Sequence, residues 1–195
     1  MPTLPEPNAS DSLPTAEDRF FEDLGARGTW ASACDREHDW HHWVTGYKYA
    51  ADILVGHKIV GRLPHKLGMP IVFLYRHHLE LALKQLARQC GGLLGRDVTP
   101  PVDHRLNNLW RLYLALLEEE SSGSTDTEEV QQTTRLLDEF CRVDRWSDTF
   151  RYPEDTDGRP SLSGVGEIDL GNIRDVVDKL SLLLDCISTD LSTRE

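Results

Sequence analysis

The sequence predicts an all-α protein, a bundle of about five helices with a long irregular loop before the last one. Three observations lead there. Apolar residues recur at three- and four-residue steps in five separate segments. Between them lie clusters of Pro, Gly and Ser, and helix-capping residues. No segment shows the alternation of a strand, and no internal repeat has the period of a solenoid.

Residues 1–34 read as a disordered, acidic, Pro-rich segment, with AEDRFFEDL as a candidate short helix. Residues 35–192 read as one helical domain, long enough to bury a core. Its first helix is expected from about Asp35 to Val60, with Trp40, Trp43, Val44, Tyr47, Ala51, Leu54 and His57 on one stripe. RLPHKLGMP breaks it, and Pro70 suits the first turn of a second helix ending near Gly91. That helix is apolar nearly all round, which marks it as central. Asp103 is the expected N-cap of a third helix, 104–120, whose buried face is Leu106, Leu109, Trp110, Tyr113 and Leu117. Thr125 and Glu128 form a capping box for a fourth, to about Arg142. After some 25 irregular residues, Asp169 caps a fifth helix ending near Leu191.

The net charge of −12 is unevenly spread. Residues 1–34 hold six acids and two bases, and residues 116–195 hold twenty acids and eight bases. Residues 35–115 instead hold seven acids, eleven bases and all eight histidines. A basic half joined to an acidic one points to an anion site, or to two surfaces that attract each other in a dimer. No apolar run approaches the roughly 18 residues of a membrane span. MPTLPEPNASDSLP lacks the basic and apolar regions of a secretory signal. The cysteines at 34, 90, 141 and 186 are far apart, as expected of reduced thiols in a cytoplasm.

The chemistry concentrates in YRHHLELALK, 75–84, where charged residues interrupt the most apolar helix. Arg76, Glu80 and Lys84 fall at i, i+4 and i+8, a ladder of alternating charge on one face. One reading is a row of ion pairs supporting the fold beneath a loop. The other is a binding site in which Arg76 and Lys84 meet a phosphate or a partner carboxylate and Glu80 orients them. His77 and His78 point roughly 100° and 200° away from Arg76, so they cannot both belong to the ladder. In DTFRYP, Phe150 and Tyr152 are expected to hold Arg151 where it reaches Glu80 or a ligand. His104 and Arg105 open the third helix at its positive end, a place suited to an anion. His38 and His42, with Asp35 or Asp39, have the i, i+4 spacing of zinc ligands but no fourth ligand to match, so no metal is expected. No P-loop, dinucleotide fingerprint, G-x-S-x-G or H-E-x-x-H is present, and no cofactor is expected.

The motifs FLYRHHLELALK (73–84), DHRLNNLW (103–110) and FRYP (150–153), in this order, resemble bacterial HEPN-like proteins. The HEPN superfamily comprises helical domains of prokaryotic toxin–antitoxin and antiviral systems, and the similarity covers about residues 38–190. The resemblance implies a homodimer with RNA, a nucleotide or a protein encoded nearby as partner. HEPN ribonucleases cleave RNA without metal through an R-x(4–6)-H motif, whose Arg holds the phosphate and whose His helps move the proton. Here the only pairs at that spacing are Arg36 with His41 and His42, in the first helix rather than late in the domain. The expectation is therefore a catalytically degenerate binding module. The alternative is a metal-independent endoribonuclease using a diverged set, with Arg76, His77 and His104 as catalytic candidates. The candidate ligand-binding residues are Arg76, Glu80, Lys84, Arg105, Arg151 and Tyr152.

Overall fold

The computed structural model describes residues 40–57, 64–99, 104–120 and 126–194. Five helices run in order: α1 (Trp40–Gly56), α2 (Pro64–Leu93), α3 (Leu106–Glu120), α4 (Glu128–Val143) and α5 (Leu170–Ser192). No strand occurs among the described residues, and the fold is all-α as the periodicities predict. Residues 1–34, Asp35, His38, Asp39 and Asp103 lie outside the described residues.

The architecture is organised around α2, which packs against α1, α3 and α5, while α4 leans on α3. The reason lies in its sequence. Ile71, Tyr75, Leu79, Leu83, Leu86 and Cys90 are all fully buried along one stripe, and His78 on one side with Arg76, Glu80 and Ala87 on the other extend the buried surface to more than half of the circumference. Burying each large apolar side chain contributes about 1.5–3 kcal/mol, so a helix covered on three sides gathers most of the core. The thiols of Cys90 and Cys141 are buried and that of Cys186 is exposed, and none of the three is in a disulfide.

Several local expectations are corrected. Helix α2 starts at Pro64, not Pro70, and Pro70 lies inside it. Pro64 suits a first helical position, where a missing N–H costs nothing. Pro70 leaves only the Lys66 carbonyl without its usual donor, early enough for the helix to absorb it. The N-cap of α4 is Thr127, whose side chain accepts from the Val130 N–H, in place of Thr125. Trp43 is exposed, so the stripe of α1 buries Val44 and Ala51 without it. In α3 Leu106, Leu109, Trp110 and Tyr113 are buried as expected, but the last buried position is Leu116, and Leu117 is only half-buried. Asp169 caps α5 as expected, accepting from the N–H groups of Gly171 and Asn172.

Close approach explains one glycine. A Cβ at Gly91 would lie 2.3 Å from Val98 Cγ2, so the chain leaving α2 folds back against a position that must stay bare.

Polar groups on α2 fix its neighbours in register. His78 is buried, and its Nδ1–H donates to the Val44 carbonyl of α1 at 2.8 Å. That tautomer leaves Nε2 to accept from the Ser181 hydroxyl of α5 at 3.1 Å. Tyr75 donates to Asp52 at 2.7 Å, and Lys48 joins Asp52 to Asp178 of α5. Burial pushes the His78 imidazole below its usual pKa, against the weaker opposing pull of the Val44 carbonyl and Asp185. The unfolded chain therefore binds more protons than the folded one just below about pH 6.5, and stability falls as the solution is acidified. The slope from this one group is at most about 1.4 kcal/mol per pH unit. Urea midpoints measured between pH 7 and 5 should decline, and the decline should be shallower in His78→Gln, whose amide can make both bonds without titrating.

The long connection 144–169 has no regular secondary structure. Phe150 is buried edge-on to Phe140, which ties this segment to α4.

Candidate functional site

The charge ladder of α2 forms as its spacing predicts, and it is buried. Arg76, at 0% exposure, donates from Nη1 to Glu80 Oε2 at 2.9 Å. Glu80 Oε1 accepts from Lys84 Nζ at 2.8 Å and from His104 Nδ1 at 2.7 Å. Burial pushes the Glu80 carboxyl up, but the hydrogen bonds from Lys84 and His104 outweigh it and hold the group below the usual carboxylate range. The ladder is closed on its other side by a residue that sequence reasoning missed. Asp144, just beyond α4 and fully buried, brings Oδ2 within 3.0 Å of Arg76 Nε. This pair is in ionic contact without hydrogen-bond alignment. Asp144 Oδ1 accepts instead from the N–H groups of Asp148 and Thr149.

His104 joins the cluster twice. Its φ is +50, a left-handed conformation uncommon for residues other than glycine and unfavourable by roughly 1 kcal/mol or more. In that conformation its carbonyl accepts from Arg76 Nη2 at 2.8 Å while its ring meets Glu80. The strain is offset by two hydrogen bonds to charged groups. The start of α3 is thereby fastened to the middle of α2.

This arrangement decides what the cluster can do. Arg76 and Lys84 balance Glu80 and Asp144 in charge, so no ion is left uncompensated in the interior. Both amino groups of the Arg76 guanidinium are hydrogen-bonded, Nε faces Asp144, and the group has no access to solvent. A phosphate could reach it only by displacing a carboxylate. Lys84, 17% exposed at its side chain, and His104, 50% exposed, form the outer rim.

The other predicted residues lie apart from this cluster. His77 is half-buried, edge-on to Tyr47 and stacked on Phe73. Burial lowers its pKa more than the nearby Glu80 charge raises it. Arg151 does not reach Glu80. It is exposed, lying 5.8 Å from the ring of Phe73 and 5.5 Å from that of Tyr152. The Arg151 and Tyr152 N–H groups both bond the Asp148 carbonyl, and this tight turn leaves both side chains at the surface. Arg105 faces Trp146 at 4.8 Å, on a second surface where α3 begins and α4 ends. That surface is a groove whose lining includes Arg105, Arg111, Arg142 and Arg145. Among the described residues, no three His, Cys, Asp or Glu side chains are placed to hold a metal ion. No helix among them is long and apolar enough to cross a membrane.

No protein-family model, no curated protein and no solved structure matches the chain.

Proposed function

We propose that the chain is a HEPN-like helical module that binds RNA, a nucleotide or a protein partner and does not cleave RNA. The setting would be cytoplasmic, in a prokaryotic toxin–antitoxin or antiviral system. The observation that carries the non-catalytic reading is the enclosure of Arg76: its guanidinium is fully buried against two carboxylates and a carbonyl, so a scissile phosphate could meet it only by displacing one of them. The alternative, a metal-independent endoribonuclease built on Arg76, His77 and His104, would require that enclosure to open at a cost of several kcal/mol. Apolar exposure supports the homodimer. Trp43, Tyr49 and Ile53 of α1 and Leu182 of α5 are all more than half exposed, and Tyr49 and Leu182 line one shallow cleft. A surface of that kind is characteristic of protein–protein contact.

The test is a labelled single-stranded RNA incubated with excess protein and a metal chelator. The RNA should stay intact, and light scattering of the same preparation should give twice the chain's 22.2 kDa. Cleavage that disappears in His104→Ala would show that the site is catalytic and overturn the reading.

A further inference from the structure

We propose that the groove between the start of α3 and the end of α4 is a track for single-stranded nucleic acid, with its arginines on the phosphates and Trp146, which adjoins the groove beside Arg105 and Arg145, stacked on a base. The inference names a ligand for the module proposed above and rests on that reading.

The groove has a volume of about 620 Å³ and is lined by Arg105, Arg111, Arg142 and Arg145, with Asn107 and a single carboxylate, Asp138. Four cations face one anion. Asp138 is already engaged, accepting from Asn107 Nδ2 at 2.9 Å and lying 3.4 Å from Arg111 Nη2. The chain as a whole carries −12, and two of these arginines come from its most acidic stretch. A cationic groove on an acidic protein confines a polyanion to one place, because the remaining surface repels it.

The kind of cation and its neighbour narrow the ligand further. All four are arginines, whose planar fork matches phosphate oxygens in pairs, where a lysine would present only a point charge. Arg111, Arg142 and Arg145 are exposed to solvent. Trp146 is 49% exposed, with the guanidinium of Arg105 4.8 Å and that of Arg145 5.4 Å from its ring centroid. An indole left in water beside arginines is the combination that binds single strands, since every base has a face to stack and phosphates recur along the chain. A duplex keeps its bases stacked on one another and offers Trp146 nothing. An acidic peptide would satisfy the arginines but leave the indole without a matching partner. The volume falls within the range of small-ligand sites, about 300–1,000 Å³, which suits a short stretch of single strand.

The experiment is fluorescence anisotropy with a labelled twelve-residue oligouridine. The wild-type chain should bind it, with an affinity that falls steeply as salt rises. Arg142→Ala with Arg145→Ala should weaken binding at least tenfold and flatten the salt dependence by the equivalent of about two phosphate contacts. Trp146→Ala should weaken it about tenfold, with Trp146→Phe recovering most of the loss. All these side chains are exposed, so the variants should melt with the wild type, which separates lost binding from lost folding. The proposal is overturned if wild type does not bind the oligomer at low salt, or if the variants bind as tightly as wild type. It is also overturned if a duplex, uridine monophosphate or polyglutamate competes better than the single strand. Binding unchanged in the variants would remove this groove but not the binding module. Cleavage of the oligomer would remove the non-catalytic reading, while a groove-dependent loss of affinity would still support the track.

Discussion

Arg76→Met should destabilise the protein by about 3–5 kcal/mol, among the largest effects available to a single substitution here. The side chain is fully buried between Glu80 and Asp144. Removing its charge leaves Glu80 with Lys84 and His104, but leaves Asp144 with no cationic partner among the described residues. The His104 carbonyl also loses its donor, and with it part of what offsets the left-handed backbone at that residue. Arg76→Lys should recover little, because one ammonium cannot meet two carboxylates and a carbonyl on three sides. Equilibrium unfolding in urea measures the loss. A variant with wild-type stability would show that the cluster contributes nothing to the fold.

The second large effect is expected at Asp144, where two substitutions separate two roles. Asp144→Ala removes the partner of Arg76 and also the acceptor of the Asp148 and Thr149 N–H groups, and should cost about 3–5 kcal/mol. Asp144→Asn keeps a carbonyl oxygen for those two N–H groups and loses only the charge, so it should cost less. Hydrogen exchange adds a local readout. Amides at 148–152 should exchange faster in the alanine variant and stay near wild type in the asparagine one. Equal exchange in both would mean that Asp144 does not hold this turn.

The contrast between these residues explains how much of the site is legible in the sequence. Arg76, Glu80 and Lys84 are four apart on one helix, so their pairing follows from helical geometry alone. The central position of α2 is equally legible, because apolar residues cover most of its circumference. Asp144 belongs to another helix end, and only tertiary packing brings it to Arg76. The spacing of DTFRYP predicts that Arg151 reaches Glu80 or a ligand, but the turn at Asp148 carries Arg151 outward toward Phe73. His104 was expected near an anion. It meets the Glu80 carboxylate of its own chain instead, through a backbone conformation that no spacing rule foretells. Two local signals competed at the start of α2, where Pro64 and Pro70 both suit a first turn and the earlier one is used. The arginine groove was hidden for the same reason as Asp144. Arg105 and Arg111 come from one helix region and Arg142 and Arg145 from another, and only the pairing of α3 with α4 joins them. The one available clue was local, a pair of arginines beside a tryptophan in an otherwise acidic half.

The central claim is that the charged seam beneath His104 is a closed structural cluster and not a site awaiting substrate. A double-mutant cycle between Arg76→Met and Asp144→Asn, read by urea unfolding, tests it most directly. If the two side chains hold each other in the interior, the double variant should lose less stability than the two single variants together, with a coupling of up to about 3 kcal/mol. Strict additivity would contradict the account, because it would mean that Arg76 and Asp144 stabilise the fold independently and that the guanidinium is free to serve another partner.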